Sequence, residues 1–135
     1  MTKTRILVVD DNWPVAKLVG ARLEKTGHYE VRVEHVPVAA FRAAEEFRPE
    51  LFLLDVDMPG KNGIELAREL QQRPNFNSTP VLFLTSLVGE EEAGTRELIS
   101  GGHRYLSKTA TVETMHACIG RAVQAARKPS VNGRQ

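Results

Sequence analysis

Residues 51–63 of the chain read LFLLDVDMPGKNG, and this stretch decides the fold. Its first four residues are all apolar, which is typical of a β-strand that is covered on both faces. The turn-forming residues Pro59, Gly60 and Gly63 follow, and a helical pattern runs from Ile64 to Gln72. A buried strand that leads through a loop into a helix is the repeating unit of an α/β sheet.

The same unit recurs on both sides of this stretch. Four more strands are predicted, at residues 6–9, 29–34, 81–84 and 103–106. Helices are predicted between an Asn12 cap and a Gly27 stop, and at residues 40–47, 64–72, 90–100 and 112–127. The alternating pattern of residues 29–34 indicates an edge strand. Five strands alternating with five helices predict the α/β class, with one doubly wound parallel sheet.

The bulk properties predict one domain. A length of 135 residues suits a single core, placed at residues 1–127, with a disordered tail at 128–135. Lys and Arg number 18 against 17 for Asp and Glu, so no basic surface for nucleic acid or anionic lipid is indicated. The first apolar run is too short for a signal peptide, and no run approaches the roughly 20 residues of a membrane span. A cytoplasmic protein is expected.

The cysteine and the histidines indicate no metal site or disulfide. Cys118 is the one cysteine, and it lies in an apolar helical pattern typical of a small core residue. The histidines share no metal-ligand spacing, and surface positions are expected for His28, His35, His103 and His116.

Polar residues follow the buried strands. Asp10 and Asp11 follow the first strand, Asp55 the third, Thr85 the fourth and Lys108 the fifth. Each has an ordinary interpretation by itself, as a helix start, a turn residue or a solvated cation. Because the carboxyl ends of parallel strands share one edge of the sheet, the five residues together predict a site there.

This set of side chains suits phosphoryl transfer. Crowded carboxylates repel one another, and a divalent cation relieves the repulsion; hard oxygen ligands favour Mg²⁺. A carboxylate can attack phosphorus to give an aspartyl-phosphate. A lysine and a hydroxyl can then stabilise the phosphoryl oxygens.

Four segments carry a resemblance to a known family. They are RILVVDDN (5–12), LFLLDVDMPGKNG (51–63), VLFLTS (81–86) and YLSK (105–108). Together they resemble the signature segments of response-regulator receiver domains, and they occur in the family's order and near its spacing. The similarity covers about residues 4–126. The resemblance implies a flavodoxin-like receiver fold with strand order 2-1-3-4-5. It also implies a phosphorylation switch of a two-component system or phosphorelay.

The resemblance implies a role for each acidic residue. Asp55 would be the phosphoacceptor. Asp11 and Asp55 would bind Mg²⁺ directly, or Mn²⁺ in its place. The main-chain carbonyl of Asp57 would be a third protein ligand, and Asp10 would act mostly through water.

The resemblance also implies the parts of the switch. Thr85 would move toward the phosphoryl group, Lys108 would pair with that group, and the main-chain amide of Ser86 would contact it. Tyr105 matches the aromatic residue that changes rotamer with Thr85. The signalling surface would be the fourth helix, fifth strand and fifth helix, about residues 90–126.

The resemblance also implies which kinds of protein the chain would bind. The donor would be a phosphohistidine on a sensor histidine kinase or a histidine phosphotransfer protein. An unknown downstream protein would bind the surface at about residues 90–126. No direct contact with nucleic acid or membrane is expected, and the chain would be a monomer or a phosphorylation-dependent homodimer. It would catalyse only its own phosphorylation and dephosphorylation, and is therefore not expected to be an enzyme.

Several residues depart from the family pattern, among them Thr109, Gly102 and Trp13. Thr109 stands where proline usually follows the lysine, and the family bond there is cis. A cis bond before Thr costs about 3–4 kcal/mol against about 0.5–1 before Pro. The bond is thus either cis and strained, or trans with Lys108 displaced. Gly102 replaces an alanine, which is expected to loosen the segment. Trp13, beside the acidic pair, is expected to be a partly buried aromatic at a helix start.

Other classes of protein share parts of this pattern. Asp55-Val56-Asp57 fits the D-x-D motif of haloacid-dehalogenase-type phosphatases, but in that family the acidic pair comes last along the chain, and here it comes first. A flavodoxin-like FMN carrier is disfavoured because Asp10 and Asp11 would repel the FMN phosphate. A non-catalytic interaction module with the receiver fold stays open because of Thr109.

Overall fold

A computed structural model of the chain describes residues 2–86 and 98–127. The strands in these ranges are β1 (Thr4–Val9), β2 (Tyr29–Glu34), β3 (Leu51–Asp55), β4 (Val81–Thr85), β5 (Leu98–Ser100) and β6 (His103–Ser107). The helices are α1 (Trp13–Lys25), α2 (Ala39–Phe47), α3 (Gly63–Gln71) and α4 (Val112–Arg127), with a short 3₁₀ helix at Pro74–Phe76. The predicted tail at 128–135 lies outside the described residues.

The described strands form one sheet in the order β2-β1-β3-β4-β6-β5. All neighbouring pairs from β2 to β6 are parallel, and β5 is antiparallel to β6. With β6 as the predicted fifth strand, the order 2-1-3-4-5 is confirmed. The predicted edge position of residues 29–34 is also confirmed, because β2 pairs with β1 alone in this sheet.

One predicted helix is wrong at its end. Residues 98–100 were expected to close a helix over 90–100, but they form β5. Gly101 has φ of +60° and Gly102 has φ of +81°. Positive φ at both central residues defines the type I′ turn that joins two strands of a tight hairpin, and glycine takes this conformation without strain. Gly102 is therefore a hairpin residue, and the remainder of the predicted helix lies outside the described residues.

The core consists of one apolar layer on each face of the sheet. Alternate residues of β1 point to opposite faces, so Ile6 and Val8 join one layer while Leu7 and Val9 join the other. Helices α1 and α4 cover the first layer, and α2 and α3 cover the second. Cys118 is buried in the first layer, which confirms its predicted core position.

Local sequence features fix the start of α1 and its distance from the sheet. The Asn12 side chain accepts a hydrogen bond from the main-chain N–H of Val15 at 3.2 Å, which confirms the predicted cap. A Cβ atom on Gly20 would lie 3.0 Å from Val33 Cγ2, so the missing side chain lets α1 approach β2 closely. No helix in the described part of the chain is long and apolar enough to cross a membrane.

Candidate functional site

The carboxyl ends of four adjacent parallel strands bring the predicted polar residues together. Asp10 follows β1, Asp55 ends β3, Thr85 ends β4, and Lys108 follows β6. Asp10 is 0 % exposed, Asp55 1 % and Thr85 4 %, so the three side chains are buried at this edge. The edge was predicted from the strand assignments, and the strand order explains why residues far apart in sequence meet there.

Three carboxylates form the acidic part of the site. Oxygen atoms of Asp10, Asp11 and Asp55 lie within 4.8 Å of one another. Asp11 is exposed while the other two are buried, so the cluster has one side open to solvent. The side chain of Asp57 is also exposed, and it is not a member of this cluster.

Lys108 lies between the two buried carboxylates. Its Nζ atom is 3.1 Å from Asp10 Oδ2 and 3.3 Å from Asp55 Oδ1. The described residues contain no cis peptide bond, so the Lys108–Thr109 bond is trans. A trans bond was expected to displace Lys108, yet its ammonium group reaches both aspartates.

Main-chain groups orient both buried carboxylates. The Asn12 N–H donates to Asp10 Oδ1 at 3.0 Å, and the Asp57 N–H donates to Asp55 Oδ1 at 3.2 Å. The other oxygens, Asp10 Oδ2 and Asp55 Oδ2, are buried and accept no hydrogen bond from the described residues. The Lys108 ammonium group stands beside the first of them as an ion pair.

These two oxygens test whether the site fits a cation. A buried carboxylate oxygen is costly unless it is paired or coordinates a metal. Two such oxygens beside the exposed carboxylate of Asp11 form a set of hard oxygen donors, which is the kind of site that Mg²⁺ takes. The residues present therefore fit a divalent cation.

The electrostatics of the site agree with its crowding. Burial raises the pKa of the Asp55 carboxyl to about 7, with a contribution in the same direction from the charge of Asp10, while the Asp57 N–H and Lys108 act against it. Burial of Lys108 disfavours its charge, but Asp10 and Asp55 outweigh burial and raise its pKa above the ordinary value. Lys108 is thus a fixed cation. The Asp57 N–H and the charge of Lys108 only partly offset the cost of burying the Asp55 carboxylate.

The remaining predicted residues lie around this centre. The Lys108 N–H donates to the Thr85 main-chain oxygen at 3.0 Å, so the two residues are joined through the backbone. Tyr105 is in register with Phe83, and their ring centroids are 5.6 Å apart. Ser86 is exposed directly after β4. The rotamer change of Tyr105, the amide contact of Ser86 and the carbonyl ligand of Asp57 stay predictions.

Gly63 is a site residue, whereas the sequence pattern predicted only that it belongs to a loop. A Cβ atom on Gly63 would lie 2.3 Å from the main-chain oxygen of Asp55. Asn62 caps α3 by accepting the Glu65 N–H at 2.8 Å, which brings the helix start against the end of β3. A glycine directly after a capping asparagine was the available signal for this close approach.

Trp13 is the first residue of α1, two residues after Asp11 of the acidic cluster. Its side chain is 41 % exposed, and its ring centroid is 4.7 Å from that of His35. Lys17 Nζ lies 5.7 Å from the same ring. The predicted place at a helix start is confirmed, and an exposed single tryptophan beside the acidic cluster is a natural fluorescence reporter.

Comparison with known proteins agrees with this fold. Residues 6–120 match the family model described as the response regulator receiver domain. The phosphate regulon transcriptional regulatory protein PhoB of Escherichia coli (strain K12) is 36 % identical over 115 residues, which cover 85 % of this chain and 49 % of PhoB. Protein PilH of Pseudomonas aeruginosa is 33 % identical over 113 residues, covering 82 % of this chain and 90 % of PilH.

A solved structure supports the fold. The chemotaxis protein CheY4 of Vibrio cholerae matches with a TM-score of 0.74 and 24 % identity, over 90 % of this chain and 99 % of CheY4. The chain spans about half the length of the PhoB relatives that it matches.

The chain belongs to the response regulator receiver domain family. Its function at the level of the family is that of a phosphoryl-accepting signalling module of a two-component system, and not that of a classical enzyme. Receiver domains interact with histidine kinases or phosphotransfer proteins, and they generally bind Mg²⁺ through an acidic cluster of the kind seen at Asp10, Asp11 and Asp55.

Proposed function

We propose that Asp55 is the residue of this chain that accepts the phosphoryl group, from a phosphohistidine on a sensor histidine kinase or a histidine phosphotransfer protein. One observation carries the proposal. Asp55 is a buried carboxylate at the end of β3 that has one oxygen without a hydrogen-bond partner in the described residues, beside a fixed cation and two further carboxylates. Asp11 is exposed, and the corresponding oxygen of Asp10, Oδ2, already forms an ion pair with Lys108 at 3.1 Å, whereas the ion pair of Asp55 uses its Oδ1 and leaves Oδ2 uncommitted.

The transfer step uses the two oxygens of Asp55 differently. Oδ1 is held by the Asp57 N–H, so Oδ2 has uncommitted lone pairs and attacks phosphorus. A P–O bond to Asp55 forms as the P–N bond of the donor breaks. The bonding pair passes to the imidazole nitrogen, which takes a proton from solvent. Lys108, 3.3 Å from Oδ1, offsets negative charge on the phosphoryl oxygens.

The cation belongs to the same proposal. Asp11 and Asp55 would hold Mg²⁺ directly, the main-chain carbonyl of Asp57 would be a further ligand, and Asp10 would act mostly through water. Bound Mg²⁺ would neutralise charge on the transferring phosphoryl group. The chain's own contribution is to keep three carboxylates and one ammonium group in place before any ligand binds.

The output of phosphorylation is proposed to be a shift between two states of the domain. Thr85 ends β4, which pairs with β6, the strand that contains Tyr105. The N–H of Lys108, directly after β6, donates to the Thr85 main-chain oxygen, so a movement of Thr85 would shift the end of that strand. The surface expected to change is that of residues 90–126, of which 98–126 lie among the described residues. A downstream protein would read this surface, with the chain as a monomer or as a homodimer formed on phosphorylation. A cytoplasmic location and self-catalysed dephosphorylation complete the proposal.

The test is intact mass after incubation with Mg²⁺ and acetyl phosphate. The wild-type chain should gain one phosphoryl group, and no gain is expected without Mg²⁺ or in Asp55→Asn. Glu65→Gln is the matched control, because it neutralises an exposed acid on α3 outside the carboxylate cluster, and it should be phosphorylated like the wild type.

Two results would change the assignment. A gain of mass in Asp55→Asn would move the acceptor to another residue. No gain in the wild type, in a folded chain that binds Mg²⁺ and shows no Trp13 fluorescence change with beryllofluoride, would favour the non-catalytic interaction module. A fluorescence change with beryllofluoride would instead indicate that the phosphoryl group is lost faster than it is detected.

A further inference from the structure

The loop between β6 and α4 carries Lys108, and a small hydrogen-bond network shapes it. The N–H of Thr109 donates to Ser107 Oγ at 3.1 Å, and Ser107 Oγ lies 2.9 Å from Thr109 Oγ1. The N–H of Ala110 donates to the Ser107 main-chain oxygen at 3.1 Å. Ser107 thus binds both N–H groups that follow Lys108, and it is the centre of the turn.

Burial gives the Ser107 hydroxyl group its importance. Ser107 is 2 % exposed, so its hydroxyl group has little access to water and is held by its hydrogen bonds to Thr109. Thr109, by contrast, is exposed, and its side chain fills no part of the core. The bond from the Thr109 N–H is one that a proline at this position could not donate. Thr109 therefore contributes something to this turn that the usual residue lacks.

The turn matters because a lysine side chain is long and rotates freely. Its four-carbon stem carries considerable rotamer entropy, so the place of Nζ depends on how firmly the backbone is held. On the β4 side, the Lys108 N–H is fixed to the Thr85 main-chain oxygen at 3.0 Å. On the other side, the backbone is fixed by the hydroxyl groups of Ser107 and Thr109.

We propose that Ser107 and Thr109 are positioning residues, whose hydroxyl pair holds a trans Lys108–Thr109 loop in the shape that places the Lys108 ammonium group between Asp10 and Asp55. The inference rests on the proposed phosphorylation of Asp55. It explains how the chain keeps the lysine in the site without the proline that the family usually has after it.

The first part of the test compares rates of phosphorylation with Mg²⁺ and acetyl phosphate, followed by intact mass. Ser107→Ala should lower the rate about tenfold, because the Thr109 N–H loses its partner. Thr109→Val keeps the N–H and the shape and loses only the second hydroxyl group, so a loss of about threefold is expected. Thr109→Ser restores a hydroxyl group and should recover most of the wild-type rate.

The second part separates positioning from a general structural role. In a Lys108→Met background, Ser107→Ala should cause no further loss of rate, because the group that it positions is gone. Affinity for Mg²⁺, followed by Trp13 fluorescence, should not be weakened by Ser107→Ala, since Ser107 has no hydrogen bond or ion pair with the carboxylates among the described contacts.

Thr26→Ala is the matched control variant. The hydroxyl group of Thr26 accepts the N–H of His28 at 3.1 Å, two residues on, as Ser107 accepts that of Thr109. This turn lies between α1 and the start of β2, at the amino ends of the parallel strands and therefore on the side of the sheet away from the acidic cluster. The substitution should lower the free energy of unfolding to a degree similar to Ser107→Ala while leaving the rate of phosphorylation at the wild-type value.

Two outcomes would overturn the inference, and they are distinguishable. If the wild type is phosphorylated on Asp55 and Ser107→Ala matches it, or loses rate equally with and without Lys108, the positioning role is wrong and the proposed function stands. If the wild type gains no phosphoryl group and shows no Trp13 fluorescence change with beryllofluoride, the proposed function fails, and the positioning role fails with it.

Discussion

Gly63 stands so close to Asp55 that a Cβ atom on it would lie 2.3 Å from the main-chain oxygen of Asp55. The Gly63 N–H also donates to the Val56 main-chain oxygen at 3.0 Å. The first residue of α3 is thus fitted directly against the end of the strand that carries the proposed phosphoacceptor. Because the atoms that this Cβ would meet, in Asp55 and Val56, all belong to the backbone, no side-chain rotation can make room for a larger residue.

Gly63→Ala is therefore expected to damage both stability and the site. The backbone of α3 or β3 must shift, which should lower the free energy of unfolding by about 1–3 kcal/mol, the usual cost of overpacking. The same shift moves Asp55 relative to Lys108, so the rate of phosphorylation by acetyl phosphate should also fall. Urea unfolding and intact mass measure the two effects.

Gly120→Ala is the matched control for this substitution. Gly120 lies inside α4 and is exposed, and apart from its own neighbouring helix backbone no atom of the described residues lies within 4 Å of where a Cβ would be. Alanine is favoured over glycine in a helix by about 0.5–1 kcal/mol, so a small gain in stability is expected. Equal changes in the free energy of unfolding for the two substitutions would show that the close approach at Gly63 does not affect stability.

Removal of the exposed carboxylate should weaken Mg²⁺ binding while leaving the metal-free fold nearly unchanged. The proposed binding of Mg²⁺ to the folded site should raise the free energy of unfolding, by about 2.7 kcal/mol at a concentration 100 times its Kd. Asp11→Asn should lose most of this gain, since it removes a hard oxygen donor from a group of three. Thermal unfolding with and without Mg²⁺ measures the difference.

The control for Asp11→Asn is again Glu65→Gln, which makes the same change of charge on the exposed surface of α3. It should retain the full gain from Mg²⁺. An equal gain in both variants would show that Asp11 is not a ligand.

Much of the fold could be predicted because the buried strands leave a strong sequence signal. Four apolar residues in a row at 51–54, followed by a loop and a helical pattern, correspond to β3 and α3. Once such units are recognised, the parallel sheet determines which strand ends meet. The convergence of Asp10, Asp55, Thr85 and Lys108 on one edge followed from that rule alone.

What the sequence did not predict depends on contacts between distant segments. Residues 98–100 have no alternating pattern long enough to indicate a strand, and their pairing with β6 decides their structure. The place of Lys108 could not be settled from the identity of Thr109, because it depends on whether a buried hydroxyl group can accept the Thr109 N–H. The approach of Gly63 to Asp55 is likewise a matter of packing.

The β5–β6 hairpin gives a prediction that tests the corrected strand. Asparagine followed by glycine is the favoured pair for a type I′ turn, so Gly101→Asn should leave the stability unchanged or raise it slightly. Gly102→Ala places a Cβ at φ of +81° and should cost about 1 kcal/mol. Urea unfolding compares the two variants. Similar losses in both would contradict the assigned turn.

The raised pKa of Asp55 predicts how stability depends on pH when no Mg²⁺ is present. The carboxyl group has a pKa of about 7 in the folded chain, raised by burial from an ordinary value of 3.8. A raised pKa means that the folded state holds the proton more tightly than the unfolded state does. The resulting stabilisation is complete below the unfolded pKa, falls as the pH rises from about 4 to about 7, and is absent above that range.

Asp55→Asn isolates this effect because its side chain is neutral at every pH. Measured by urea unfolding in a chelator, the variant should resemble the wild type near pH 4 and become the more stable of the two as the pH rises to about 8. The expected difference is on the order of 2 kcal/mol. Titrating groups away from the acidic cluster contribute equally to both proteins and cancel in the comparison. Saturating Mg²⁺ compensates the carboxylate, so it should remove most of the difference at about pH 8. Parallel stability curves across this range would mean that Asp55 ionises in the folded chain as freely as it does in the unfolded one, and the crowding of the acidic cluster would then have no energetic consequence.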